Sequence, residues 1–143
     1  MLKNVPKVLS PELIKVLYEM GHGDEIVIAD ANFPSENYGQ RVVRADGISG
    51  PKILEAVLEM IPLDTYSDPN VILMQLMKCD EGKINPTIWR EYADIAKRVD
   101  GNEKIGNIDR FEFYERAKKA YCVIATGEEA VYANAIVKKG VIK

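Results

Sequence analysis

Apolar positions along the chain follow two alternating periods. Ser10-Pro11 reads as a helix start, with Ser10 as N-cap and Pro11 in the first helical position. Leu13, Ile14, Val16, Leu17 and Met20 then fall on one helical face, and Gly21 suits the C′ position that ends the helix. Glu25-Ile26-Val27-Ile28-Ala29 is short, apolar and β-branched, the pattern of a buried strand, with Asp30 at its carboxyl end. Asn32-Phe33-Pro34-Ser35 reads as a loop, and Gln40 to Ala45 as another short strand. Gly50-Pro51 opens a helix with Ile53, Leu54, Val57, Leu58 and Ile61 inward, and Val71 to Met77 is a buried strand. Asn85-Pro86 repeats the cap-then-proline start ahead of Ile88, Trp89, Tyr92, Ile95 and Ala96. Lys104 to Ile108 reads as a strand and Arg110 to Lys119 as a helix. Tyr121 to Thr126 is a strand, Gly127-Glu128-Glu129 a turn, and Val131 to Lys138 the final strand.

Strands interleaved with helices of about 10 to 15 residues predict an α/β fold with a largely parallel sheet flanked by helices. The last two strands lie close enough in the chain to form a C-terminal antiparallel hairpin at one edge. No Ser/Gly/Pro-rich linker, low-complexity tract or internal repeat interrupts residues 1–143, so a single domain is expected. Ligands of such sheets collect at the carboxyl ends of strands, which makes Asp30 a candidate contact.

Composition narrows the classes. The 143 residues carry 19 Lys plus Arg and 22 Asp plus Glu, a net charge of −3. That balance is too acidic and too evenly spread to hold a long stretch of nucleic acid by counterion release. No apolar run reaches the roughly 18 residues that span a bilayer. The opening Met1-Leu2-Lys3-Asn4-Val5-Pro6 lacks a signal-peptide core. Cys79 and Cys122 show no CxxC spacing and read as reduced, half-buried thiols of a cytoplasmic protein. There is one histidine, His22.

His22 lies between two glycines in Met20-Gly21-His22-Gly23-Asp24-Glu25, open to close approach by a ligand. Imidazole is suited to moving a proton near pH 7. The pattern also describes a plain helix-to-strand turn, and by itself favours that turn. Asp30 is either a sugar-hydroxyl acceptor, an orienting partner for the imidazole, or a cap for the loop after it. Gly21-His22-Gly23 lacks the third glycine of a dinucleotide loop and precedes a strand instead of following one. One His and two distant Cys make no zinc set, and no nucleophile motif surrounds Ser10 or Cys122. Arg110, at a strand-to-helix junction, can donate forked hydrogen bonds to a polyol or carboxylate. Glu112 and Arg116 suit an i,i+4 pair with Phe113 inward. Tyr132 and Asn134 share one face of the last strand, either as a hydrogen-bonding wall or as an exposed edge, with Ala133 on the other face.

Taken in order, six segments resemble the D-ribose pyranase / L-fucose mutarotase family. They are Met-Gly-His-Gly-Asp-Glu at 20–25, Asp30 with Phe33-Pro34, Arg-Ala-Asp-Gly at 44–47, Arg-Phe-Glu-Phe-Tyr-Glu-Arg-Ala at 110–117, Thr-Gly-Glu at 126–128 and Tyr-Ala-Asn at 132–134. The likeness runs from Ser10 to Val141. Gly-His-Gly-Asp-Glu and Arg110 resemble the fucose branch, while Tyr132-Ala133-Asn134 has the spelling of the ribose branch. The resemblance implies an enzyme that exchanges the α and β anomers of a free monosaccharide, L-fucose, without cofactor or metal. It implies His22 as the proton donor, and Asp30, Arg110 and Tyr132-Ala133-Asn134 as sugar-binding positions. It also implies a cytoplasmic homodecamer, ring-shaped, with active sites at or near subunit interfaces, and no nucleic-acid or membrane partner. The alternatives are a D-ribose pyranase and a non-catalytic monosaccharide-binding module.

The chemistry agrees with so sparse an inventory. Opening a cyclic hemiacetal delivers a proton to the ring oxygen and removes one from the anomeric hydroxyl. Nothing is oxidised and no group is transferred. A positioned acid or base contributes about 10²–10⁴-fold. One histidine and hydrogen-bonding partners meet this need, with water or Tyr132 as candidates for the second proton-transfer group.

Overall fold

A computed structural model describes all of residues 1–143. In chain order the elements are α1 (Pro11–Glu19), β1 (Glu25–Ala29), α2 (Ser35–Tyr38), β2 (Val42–Ala45), α3 (Gly50–Met60) and β3 (Val71–Met74). A short 3-10 turn (Lys78–Asp80) follows, then α4 (Ile88–Val99), β4 (Ile105–Ile108), α5 (Arg110–Lys119), β5 (Cys122–Thr126) and β6 (Ala135–Lys138). The Ser10 hydroxyl accepts from Leu13 N–H at 3.2 Å, and Ser49 does the same for Lys52 at 3.4 Å ahead of Gly50-Pro51. At α5 the Asp109 carboxylate accepts from Phe111 and Glu112 N–H at 2.9 and 3.0 Å. These caps satisfy donors that a helix start leaves free.

The six strands form one mixed sheet in the order β2-β5-β1-β6-β3-β4. The α/β architecture with flanking helices is the expected one, but the last strand is placed differently. β6 does not pair with β5 as a hairpin. It enters the middle of the sheet, antiparallel to β1 (Val27 opposite Ile136) and to β3 (Ile72 opposite Ile136). The remaining pairs, β1–β5, β2–β5 and β3–β4, are parallel. The physical reason is apolarity: Ala135, Ile136 and Val137 are fully buried, and a sheet edge would leave them wet.

Alternation along each strand builds two cores. Ile26, Ile28, Val71, Leu73, Cys122, Ile124, Ala135 and Val137 face the helices α1, α3 and α4. Val27, Ala29, Ile72, Met74, Val123 and Ile136 face Phe33 and the Phe113, Ala117 face of α5. Burial pushes the Cys122 thiol up to about 11, so it behaves as a core residue, while Cys79 is exposed. Neither is the half-buried thiol expected.

Other local differences have simple causes. Asn32-Phe33-Pro34-Ser35 leads into the one-turn helix α2, stabilised by Gly39 N–H donating to the Ser35 carbonyl at 2.8 Å. The α4 helix begins at Ile88 behind Thr87, not at Asn85-Pro86, and has no side-chain cap. β2 and β3 are shorter than expected, and Gly23, not Gly21, takes the left-handed backbone, with φ 87°. Arg116 pairs with Glu25 across the sheet face instead of with Glu112.

Gly50 sits where a side chain cannot. A Cβ there would stand 2.0 Å from the hydroxyl of fully buried Tyr92. Gly50→Ala is expected to cost about 1–3 kcal/mol, the usual range for overpacking a core. Chemical denaturation measures it, and an unchanged midpoint would contradict this packing.

Candidate functional site

The carboxyl ends of β1 and β3 and the amino end of α5 meet at a cavity of about 190 Å³. Asp30, Asn32, Phe33, Met74, Met77, Arg110, Tyr114, Val131, Tyr132 and Asn134 line it. Four of the five expected sugar-binding positions are therefore brought together. The fifth, Ala133, is buried directly behind Tyr132 and Asn134.

The segment before β6 is not a strand at Tyr132. Its φ is 60°, the left-handed region that a tyrosine rarely occupies. Two side chains of α4 hold it there. The Trp89 indole N–H donates to the Tyr132 carbonyl, and the Tyr92 hydroxyl donates to the Ala133 carbonyl, each at 2.9 Å. The turn swings Tyr132 toward the cavity and sends Asn134 to Asp30.

Asn134 makes a two-sided contact. Its amide oxygen accepts from Asp30 N–H at 2.7 Å, and its amide nitrogen donates to the Asp30 carboxylate at 3.0 Å. The other carboxylate oxygen accepts from Asn32 N–H at 3.0 Å. Asp30 is buried, and that burial pushes its carboxyl above the ordinary range, opposed by hydrogen bonds from Asn32, Asn134 and the backbone of Phe33 and Ala133. The neighbouring loop is tied down as well. Thr126 Oγ1 donates to the Ala29 carbonyl at 2.7 Å, and Ala31 N–H donates to the Glu128 carbonyl at 2.8 Å. Gly127 between them lies against Gly47, where a Cβ would meet backbone at 2.6 Å.

Arg110 reaches the cavity from the first turn of α5. Its Nε donates to the Tyr114 hydroxyl at 2.9 Å, and one terminal nitrogen lies 3.5 Å from Met77 sulfur. The Tyr114 ring is stacked on Tyr38 at 4.8 Å between centroids. The guanidinium is thus aimed by an aromatic support, with N–H groups left for a ligand.

His22 is elsewhere. It precedes β1, whereas Asp30 follows it, and that strand alone spans about 13 Å at ~3.3 Å per residue. Asp30 cannot orient this imidazole. Asp64 does: His22 Nε2 lies 3.1 Å from its carboxylate. Asp64 is buried and also accepts from the Ser67 hydroxyl at 2.6 Å and from Tyr66 N–H at 3.2 Å. The Ser67 bond, with the His22 and Tyr66 bonds, holds its carboxyl below the ordinary range despite burial. Asp64 is therefore an ionised acceptor, so His22 carries its proton on Nε2 and Nδ1 remains for another partner. The ring stays 46% exposed at its side chain. Sequence reasoning missed Asp64. Its local signature is an ordinary Asp turn bonding two residues on, and its partnership with His22 spans 42 positions. No group of three or more His, Cys, Asp and Glu side chains is arranged to hold a metal ion.

Residues 3–142 match the model of the RbsD / FucU transport protein family. A fucose mutarotase of Mus musculus is 50% identical over 145 residues, covering 99% of this chain and 95% of the mouse protein. The crystal structure of FucU from Bifidobacterium longum superposes with a TM-score of 0.94 at 52% identity, over 99% of this chain and all of the other. A fucose mutarotase from Streptococcus pneumoniae, solved in complex with L-fucose, superposes with a TM-score of 0.92 at 44% identity and the same coverage.

Two outcomes check the site. Because the chain has a single histidine, one set of imidazole resonances reports the tautomer. Long-range proton–nitrogen correlation above the imidazole titration should show Nε2 protonated and Nδ1 bare in the wild type, and a mixture in Asp64→Asn. The second concerns Asn134→Asp, which sets a second carboxylate about 3.0 Å from Asp30. One of the pair then keeps its proton above pH 4 in the folded state only. The folded state binds more protons than the unfolded, so stability of the variant falls as pH rises from about 4 to 7. Thermal melts across that range measure it, and a profile falling no more steeply than the wild type's would contradict the carboxylate contact.

Proposed function

The chain belongs to the RbsD / FucU transport protein family, and from that membership and the cavity chemistry we propose that it is a mutarotase exchanging the α and β anomers of free L-fucose. One observation carries this reading: an acceptor carboxylate (Asp30), guanidinium donors (Arg110) and a phenol (Tyr132) converge beside an apolar wall of Phe33, Met74 and Val131. A sugar ring presents hydroxyls to the first three. The methyl group of a 6-deoxy sugar suits the wall, which a pentose such as D-ribose would leave unfilled. The named relatives act on fucose or hold it, which supports the same substrate.

In this reading Asp30 accepts two sugar hydroxyls, Arg110 and Tyr132 hold the ring, and Asn134 and the Ala133 backbone shape the Asp30 side. The doubly protonated ring of His22 delivers its Nδ1 proton to the ring oxygen and is left as the neutral tautomer whose Nε2 proton Asp64 holds. Since nothing is oxidised or transferred, no cofactor enters. His22 stands at the opposite end of β1 from the cavity, so a second copy supplies it. That requirement supports the ring-shaped homodecamer that the resemblance implies, with residues 1–143 of each copy acting as one mutarotase domain. No helix is long and apolar enough to cross a membrane, and we place the enzyme in the cytoplasm, where a free sugar enters metabolism.

Exchange NMR on L-fucose tests the reading. The wild type should accelerate anomer exchange, and His22→Ala should lower the rate by about 10²–10⁴-fold, the usual contribution of one acid–base group. Wild-type rates in the variant, or fucose binding with no acceleration, would sink it. D-Ribose at equal concentration should leave the fucose rate unchanged. Sedimentation should give a multiple of the 16.0 kDa chain mass, and a monomer mass would overturn the shared site.

A further inference from the structure

Anomer exchange needs a group that takes the proton from the anomeric hydroxyl, and His22 on the acid side leaves that position open. Tyr132 faces the cavity, and its hydroxyl has two partners inside the chain. It donates to the carboxylate of Asp80, and it accepts from Met77 backbone N–H at 3.2 Å. A phenol has one proton to give and two acceptor sites. The proton is committed to Asp80 and one acceptor site to Met77. What remains for a sugar is a single acceptor site. Tyr132 therefore meets substrate as the receiver of a hydrogen bond, on the base side of the reaction.

We propose that Asp80 is the proton acceptor of this reaction, acting through Tyr132. In the opening step the anomeric O–H proton passes to Tyr132 Oη as the Tyr132 proton passes to Asp80 Oδ2. The C1–O1 bond becomes a carbonyl, the C1–ring-oxygen bond breaks, and the ring oxygen takes the His22 proton. Closure on the other face of C1 reverses each transfer: the ring hydroxyl returns its proton to His22, Asp80 returns one to Tyr132, and Tyr132 returns one to O1. Both residues end as they began.

Three features of the fold suit Asp80 to this place. It closes the Lys78–Asp80 turn that follows β3, so it stands behind Tyr132 on the segment that carries the cavity residues Met74 and Met77. Its carboxylate accepts from no side chain except Tyr132, so it keeps capacity for a proton. Tyr132 is locked by its left-handed backbone and by the Trp89 bond to its carbonyl, which fixes the phenol relative to Asp80. Asp80 is not part of the cavity lining and acts on substrate only through Tyr132. Burial and the Asp80 bond both raise the Tyr132 phenol above its ordinary range, so it passes protons on without becoming a free phenolate.

The inference rests on the mutarotase reading, and one experiment separates the two. L-Fucose exchange rates and fucose dissociation constants are measured for wild type, Asp80→Asn, Tyr132→Phe and the double variant. Asp80→Asn should lower kcat about 10²-fold with the dissociation constant changed less than about 3-fold, since the lost step is proton transfer. Tyr132→Phe should lose a similar factor, and the double variant no more than the worse single one, because both act in one series. A wild-type kcat in Asp80→Asn overturns the relay alone. So do losses that multiply in the double variant, or a loss confined to fucose affinity. A wild type that does not accelerate exchange overturns the mutarotase reading and the relay with it. As a signature independent of activity, the ring-carbon resonance of labelled Tyr132 should titrate at lower pH in Asp80→Asn, and an unshifted titration would show that the two side chains are not coupled.

Discussion

The Asn134 amide joins the backbone and the carboxylate of Asp30 in one contact, and the cavity depends on it. Burying a carboxylate costs several kcal/mol unless its oxygens are matched. Here one oxygen meets Asn134 and the other the Asn32 N–H. The same amide closes the Asp30 N–H, which lies just past the end of β1. A buried Asp is thereby kept at a strand end where its remaining lone pairs point to a ligand. The contact exists because β6 lies beside β1. A hairpin with β5 would have carried Asn134 to the sheet edge, one strand away.

Much of this was legible along the chain. Short apolar runs located five of the six strands close to their observed places, and the Ser10-Pro11 and Gly50-Pro51 starts marked two helices. The failures share a cause. The placement of β6, the left-handed Tyr132 and the Asp64–His22 pair are all settled by contacts between distant segments. Local pattern reads Val131 to Lys138 as an alternating strand, yet Trp89 and Tyr92, some forty residues earlier, bend its first half through hydrogen bonds to carbonyls. Asp30 and Arg110 were visible because each stands at the junction of an element, where fold geometry alone predicts a ligand. Asn134 was visible as a site residue, and the structure adds its two-sided bond to Asp30, a contact across 104 positions that local pattern does not show.

The polar inventory divides between two ends of the sheet. At the carboxyl end of β1 stand the residues that, in the proposed mutarotase, hold a ring and receive a proton. At its amino end stands His22, its tautomer set by Asp64 and its ring open to solvent. Neither end alone completes acid and base catalysis of ring opening. A chain with one imidazole can combine them only by placing one copy's amino end at another copy's cavity, and an isologous or cyclic assembly does this for every copy at once. In the proposed mechanism oligomerisation belongs to the chemistry, in addition to any burial of the exposed Tyr18, Tyr66 and Ile142 side chains.

Subunit complementation examines this division most directly. His22→Ala and Asp30→Asn chains are each purified, mixed in equal amounts, dissociated and reassembled, and L-fucose exchange is measured before and after. If each site takes His22 from one copy and Asp30 from another, random mixing restores both groups to about a quarter of the sites, and activity recovers to about that fraction of wild type. If the two residues served the same chain's site, every site would still lack one of them, and the mixture would stay as inactive as its parents.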